Sequence, residues 1–407
     1  MDRPGTLYAN RTDLENSSML KSHETSSKIA VRGLAGVLRA GAFAVLIGTG
    51  AQAEELNQAL NETVLTVPKE GIFFTAKLET TIFKPAGTGP FPIVVINHGK
   101  SPGHLRHQGR YRPLMAARYF MQRGYVVVVP MRQGFSNSTG DYIDAGCNME
   151  SNGRAQAEDV RAALDYVTAL PYADKNNIVV LGQSHGGWTT LAFGTFNYPG
   201  VKALVNFAGG LRHDSCGPWT ANLVNAARSY GAETTIPSLW FYGDNDSYFG
   251  PTTFRLMHRA YASSGGRARL VAFGNLGGDG HLMFSSLAGR GIWQPEVSGF
   301  LKELGLPHEI TLPQYANPSP VAVPPRTDFA PLYTLESVPH VREKGKAGYA
   351  AFLTKDFPRA FALAPNGAWA WASGDTDPHK RALDSCNKDG QGACKLYAVD
   401  DAVVWAN

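Results

Sequence analysis

The run Ile178-Val179-Val180-Leu181-Gly182-Gln183-Ser184-His185-Gly186-Gly187-Trp188 decides the fold. Its first four residues are apolar and mostly β-branched, as in a strand buried on both faces. Gly182 to Gly186 then reads G-x-S-x-G, and residues 188–196 continue as a helix. A serine at a tight strand-to-helix turn has its backbone forced into strain. Glycines on both sides leave room for the neighbouring strand and helix. The side chain is lifted clear of the sheet edge, and the helix N-terminus sets amide donors beside it. Ser184 is therefore the candidate nucleophile.

Working outward, residues 91–97 and 125–130 are two more continuous apolar runs, and 201–207, 238–242 and 269–273 are three further strands. Residues 64–67 and 72–83 read as two opening strands. Helices fit 113–123, 154–169, 252–263 and 295–304. In the second of these, Ala157, Val160, Leu164 and Val167 recur at helical spacing. Strands alternating with helices imply parallel pairing through crossovers, so the class is α/β.

A serine hydroxyl becomes a good nucleophile only when a base takes its proton and a carboxylate orients that base. Both partners stand after later strands. Residues 238–242 lead into Gly243-Asp244-Asn245-Asp246, and 269–273 lead towards Gly278-Asp279-Gly280-His281. His281 is the candidate base. Asp246 is preferred over Asp244 because it lies three residues past the strand-terminal glycine. Asn97-His98-Gly99-Lys100 follows the first buried strand, so the backbone N–H groups of Lys100 and His185 are the candidate oxyanion donors. His98 reads as a structural residue packed under that turn.

Composition bounds the alternatives. The chain has 407 residues, 43 % hydrophobic and 18 % charged, an ordinary globular balance large enough for two domains. A net charge of +4 lacks the basic excess expected of a nucleic-acid protein. No apolar run is long enough to span a membrane. Lys28, Arg32 and Arg39 precede the apolar stretch 40–47, and Ala51-Gln52-Ala53 follows it. A basic flank, a short apolar core and an A-x-A site make a secretory signal peptide over 1–53, with Met1 or Met19 as the start. The expected location is periplasmic or secreted, where four cysteines can form two disulfides. Cys386 and Cys394 would close a small loop, and Cys147 and Cys216 then pair by elimination.

The hydrolytic domain is expected over 54–305. Prolines at 307, 313, 318, 320, 324, 325 and 331 mark 306–331 as a stiff linker. Residues 332–407 then form a small second domain of α+β type, expected to be dispensable for chemistry. His213 and Asp214 lack a third ligand at suitable spacing, so no metal is expected. No G-x-G-x-x-G opens a helix after a strand, so no dinucleotide or other cofactor is expected. Arg106, Arg110 and Arg112 crowd one loop. They could hold an acidic substrate, or simply be solvated or ion-paired.

Residues 91–304 resemble the α/β-hydrolase superfamily, and within it the dienelactone hydrolase-like branch that shades into secreted serine esterases and prolyl-oligopeptidase-type peptidases. The resemblance rests on Asn97-His98-Gly99, Arg132-Gln133-Gly134-Phe135-Ser136, the Ser184 motif, Gly243 to Asp246 and Gly280-His281. It implies a mostly parallel sheet flanked by helices and hydrolysis by a Ser, His and Asp set. Dienelactone hydrolases proper use cysteine where this chain has Ser184, and related enzymes often have aspartate where this chain has Met131. The segment Ala382-Leu383-Asp384-Ser385-Cys386, followed by Cys394 to Asp400, is similar to a small module of exported bacterial proteins. That module suggests a cell-envelope partner and no chemistry.

Three readings follow. The first is an exported carboxylic ester hydrolase. The second is a serine peptidase using the same residues on a peptide. The third is a non-catalytic envelope or binding protein on a hydrolase fold, against which an intact Ser, Asp and His set argues.

Overall fold

The computed structural model describes residues 56–71, 74–317, 322–355, 358–373 and 377–406. The expected leader, 1–53, lies outside the described residues. The larger sheet is formed by β1 (Glu62–Lys69), β2 (Ala76–Phe83), β3 (Phe91–Asn97), β4 (Val126–Pro130), β5 (Ala173–Gln183), β6 (Val201–Phe207), β7 (Ser238–Tyr242) and β8 (Ala268–Ala272). The helices between and after them are α1 (Leu114–Met121), α2 (Met149–Thr168), α3 (His185–Gly194), α4 (Trp219–Glu233), α5 (Pro251–Ser263) and α6 (Arg290–Glu303). The strand order is β1-β2-β4-β3-β5-β6-β7-β8. Pairing is antiparallel from β1 through β2 to β4 and parallel for every other neighbour. This is the α/β-hydrolase fold.

The central strands are apolar throughout because both their faces are covered. Ile93, Val95, Ile178 and Val180 point into one core, with side chains of α2, α3, α4 and α5. Val94, Ile96, Val179 and Leu181 alternate into the other, with α1 and α6. Helix α4 was not expected from the sequence, although its Leu223, Ala226, Ala227 and Tyr230 have helical spacing and are buried. Helix α6 begins at Arg290, earlier than expected, and carries Pro295 in its interior.

After α6 the proline-rich stretch is anchored to this core. The N–H groups of Thr311 and Leu312 donate to Gln122 O at 2.9 Å. The buried Tyr315 hydroxyl accepts from Ala86 N at 2.7 Å. The remaining chain forms α7 (Glu343–Leu353), β9 (Arg359–Leu363), β10 (Trp369–Ser373), α8 (Pro378–Gly390), β11 (Lys395–Val399) and β12 (Ala402–Val403). Its antiparallel sheet has the order β10-β9-β11-β12. Strand β9 alternates by size as well as by face. Ala360 and Ala362 face Ala382 and Cys386 of α8, while Phe361 and Leu363 face Tyr349 and Phe352 of α7. The methyl groups let α8 lie close, and the large side chains fill the other layer. The four cysteines form two disulfides, Cys147–Cys216 and Cys386–Cys394. Among the described residues no helix is long and apolar enough to cross a membrane.

Candidate active site

The C-terminal ends of β5, β7 and β8 carry the loops that hold the candidate residues. Ser184 stands between β5 and α3 with φ 57° and ψ −124°. That conformation is strained for a residue with a Cβ, and the surroundings enforce it. Ser184 N donates to Phe207 O at 2.9 Å, and its carbonyl accepts from Trp188 N at 3.0 Å and Gly210 N at 3.2 Å. The flanking glycines are required by space. A Cβ at 182 would lie 2.3 Å from Gly186 O, and one at 186 would lie 2.1 Å from Asn97 O.

Asp246 and His281 meet on the same edge. His281 Nδ1 lies 3.1 Å from each carboxylate oxygen of Asp246. Asp246 Oδ1 also accepts from Tyr248 N at 2.9 Å and Phe249 N at 2.8 Å, which fixes the carboxylate. With Nδ1–H donating to Asp246, Nε2 keeps its lone pair for a proton. The imidazole packs beside Tyr248 and Phe249, at centroid distances of 4.6 and 5.7 Å. Asp244 points elsewhere; it is exposed and lies 3.5 Å from Arg255.

Three residues unassigned from the sequence hold this arrangement. Asn245 accepts from Leu276 N at 3.0 Å, and its amide donates to Leu276 O at 3.3 Å and Gly277 O at 3.1 Å. Asp279 Oδ1 accepts from Ser247 N at 3.1 Å and His281 N at 2.9 Å, and Oδ2 accepts from Ser247 Oγ at 2.6 Å. Together they zip the Asp246 loop to the His281 loop. Gln183 Nε2 donates to His281 O at 3.1 Å and ties that loop to the residue before Ser184. The only sequence trace of these roles was position: Asn245 and Asp279 lie inside the two aspartate-bearing loops, and Gln183 lies inside the G-x-S-x-G motif.

On the other side of Ser184, Gly99 is so close that a Cβ there would lie 3.5 Å from Ser184 Cβ. Lys100 follows it, and its ammonium lies 4.8 Å from the Tyr142 ring centroid. His185 is the first residue of α3 and is buried. Its Nε2 lies 2.8 Å from Asn152 Oδ1. His98 is buried, with Nδ1 2.7 Å from Gly99 O and Nε2 accepting from Arg132 N at 3.1 Å.

The arginine-rich loop is engaged by the protein itself. Arg110 and Arg112 both pair with the buried Glu62, and Arg106 donates to Ser138 O and Gly140 O. Of the two expectations for this loop, the ion-paired one describes it. Among the described residues no group of three or more His, Cys, Asp or Glu side chains is placed to hold a metal ion.

The family model of X-Pro dipeptidyl-peptidase (S15 family) matches residues 75–245. The match includes Ser184 and ends one residue before Asp246. Among solved structures, the chain is similar to dipeptidyl peptidase 4 of Porphyromonas gingivalis, at 17 % identity and TM-score 0.47, over 60 % of this chain and 35 % of that one. It is also similar to Est1E of Butyrivibrio proteoclasticus, solved with ferulic acid bound, at 15 % identity and TM-score 0.43, over 59 % of this chain and 98 % of that one. A dienelactone hydrolase-like promiscuous phosphotriesterase, P91, from metagenomic libraries shares 17 % identity at TM-score 0.44, over 60 % of this chain and 98 % of that one. The strand order is that of the α/β-hydrolase fold, and residues 75–245 of that fold are similar to the S15 family.

Proposed function

We propose that the chain is an exported serine hydrolase that cleaves a carboxylic ester through an acyl-enzyme on Ser184. The observation that carries this reading is the pairing of His281 Nδ1 with Asp246 at 3.1 Å, on the edge where the strained Ser184 turn projects. In the first half-reaction His281 Nε2 takes the Ser184 proton as Oγ attacks the ester carbonyl. Asp246 stabilises the imidazolium. The N–H groups of Lys100 and His185 receive the developing oxyanion. His281 then gives the proton to the departing alcohol. In the second half-reaction it takes a proton from water, which attacks the acyl group, and then returns that proton to Ser184 Oγ as the acyl C–O bond breaks and the acid departs. No cofactor enters these steps.

The peptidase reading has one observation in its favour, the S15 family match over residues 75–245. It differs only in the leaving group, an amine that His281 must protonate. Export is supported by the two disulfides, which persist in oxidising compartments. The C-terminal module would then serve attachment or recognition at the cell envelope.

The test is direct. A fluorophosphonate should label Ser184 stoichiometrically, and a folded Ser184→Ala variant should lose label and turnover. Near-wild-type turnover in that variant defeats the proposal. Chromogenic esters and aminoacyl-anilides, including X-Pro anilides, compared on the same enzyme separate ester from peptide cleavage.

A further inference from the structure

Arg132 stands two residues beyond β4 and is 0 % exposed, so it cannot touch substrate. Its Nη2 donates to His185 Nδ1 at 3.1 Å and to Gly99 O at 3.3 Å, and lies 3.3 Å from His98 Nδ1. Nε and Nη1 have no hydrogen-bond partner among the described residues. Asp159, an acid near enough to act on this charge, is itself held by Lys69 at 2.5 Å and Gln133 N at 2.8 Å. A buried guanidinium without a carboxylate is costly to the fold.

Those contacts fall on the two residues whose backbones border Ser184. Gly99 C=O and Lys100 N–H belong to one planar peptide, so holding the carbonyl sets the direction of the N–H. His98 Nδ1 and Arg132 Nη2 both hold that carbonyl. On the opposite arm, a donor from Arg132 makes His185 Nδ1 an acceptor. Nε2 then carries the hydrogen and donates to Asn152 Oδ1 at 2.8 Å. The ring is thereby fixed in one neutral tautomer, and with it the first residue of α3. One guanidinium nitrogen links both arms.

We propose that Arg132 is a positioning residue that locks the Gly99–Lys100 peptide and His185 together as the two walls of the oxyanion hole. Burial, and then the charge of Arg132, push the His185 pKa well below the usual histidine value, which keeps the ring neutral as the geometry requires. Burial lowers the pKa of Arg132 itself to about 10, so it remains charged at neutral pH. Its positive charge adds to the stabilisation of a negative oxygen held between the two arms.

The inference rests on the Ser184 acyl-enzyme reading, and two readouts keep them apart. Fluorophosphonate labelling of Ser184 in the wild-type enzyme reports on the acyl-enzyme reading alone. Arg132→Met and Arg132→Lys report on this one. In folded Arg132→Met, kcat should fall roughly 10- to 100-fold, with KM within about 2-fold. Inhibition by phenylboronic acid, whose tetrahedral adduct places an oxygen in the hole, should weaken in parallel. Arg132→Lys keeps the charge and a donor and should recover part of kcat. If Arg132→Met does not fold, Arg132→Lys and Asn152→Ala are read instead, since Asn152 holds His185 from the far side. Both should lose kcat selectively. A labelled Ser184 with unchanged kcat in the folded variants overturns the proposal, as does a loss confined to KM or matching the unfolded fraction. Absence of label on wild-type Ser184 overturns the acyl-enzyme reading instead.

Discussion

The carboxylate of Asp401, on the turn between β11 and β12, lies against Gly278, three residues before His281. A Cβ at 278 would sit 2.7 Å from Asp401 Oδ2. The C-terminal module thus touches the histidine loop. Yet Asn245 and Asp279 hold that loop from within the hydrolase fold. An enzyme ending at residue 317 should therefore keep turnover on a small soluble ester within a few-fold. One ending at Pro313 loses Tyr315 and its bond to Ala86 N, and should be destabilised by about 3–5 kcal/mol. Turnover of a small and a bulky ester, with thermal midpoints, checks both. Loss of small-ester activity in the longer enzyme would show that Asp401 is needed to place His281.

The two aspartates after β7 make a clean comparison. Asp246→Asn leaves the contacts of His281 in place but disturbs its tautomer. It should lower kcat by roughly three to four orders of magnitude. Asp244→Asn removes only an exposed partner of Arg255 and should stay within about 2-fold. If Asp244→Asn proves the damaging change, the carboxylate assignment is wrong.

Ser184 and Asp246 could be picked out as candidates from the sequence because each follows a buried strand, a continuous apolar run, whereas His281 could be picked out only by its place after β8, a half-buried edge strand. The loop-to-loop bonds of Asn245 and Asp279 could not, since they join residues 31 and 32 positions apart that meet only through the pairing of β7 with β8. The place of Arg132 between His98 and His185 likewise depends on β4, β3 and β5 lying side by side. In the module, the alternation Ala360-Phe361-Ala362-Leu363-Ala364 was a strand signal. It was weak because alanine suits a helix equally well.

Glu62 is fully enclosed by Arg110, Arg112 and Asn57 N. Burial raises its pKa, but the bonds from Arg112, Arg110 and Asn57 outweigh this, and the net shift is downward. Its contribution to stability is present above the ordinary carboxylate value and is lost as pH falls through the lowered one. Glu62→Gln should destabilise by about 3–5 kcal/mol at pH 7, because two buried cations lose their anion. Chemical denaturation from pH 7 to 3 should show the gap to wild type narrowing in acid. A gap independent of pH would refute the account.

The Cys147–Cys216 bridge spans 69 residues of sequence. It ties the loop carrying Tyr142 to the loop after β6, and Asn222 Nδ2 donates to Cys147 O at 3.2 Å beside it. Replacing both cysteines by serine should cost about 2–4 kcal/mol in the chain-entropy model. Because the triad lies on other loops, KM should change more than kcat. Calorimetry and Michaelis parameters on one ester decide this, and an unchanged melting midpoint would refute the stabilising role.

Asp400 sits beside Asp401 at φ 51°, with Oδ1 accepting from Arg359 N at 2.9 Å. Burial raises its pKa to about 6, with the neighbouring Asp401 charge acting in the same direction and Arg359 opposing both. The folded chain therefore binds this proton more tightly than the unfolded chain. Stability falls as pH rises from the ordinary carboxylate value through about 6, and the full cost is present at pH 7. Asparagine keeps the acceptor for Arg359 N, tolerates a left-handed backbone and carries no charge. Asp400→Asn should then stabilise the protein at pH 7 by about 1–2 kcal/mol, allowing for partial solvent screening. The gain should vanish near pH 4, where the wild-type side chain is protonated in the folded state. Asp401→Asn should recover a smaller part of the same gain by removing the neighbouring charge. Thermal midpoints of the three proteins at pH 4, 5.5 and 7 test the sign and the window together. A stabilisation that persists unchanged at pH 4 would trace the effect to the backbone turn rather than to the buried charge, and a less stable Asp400→Asn at pH 7 would refute the argument outright.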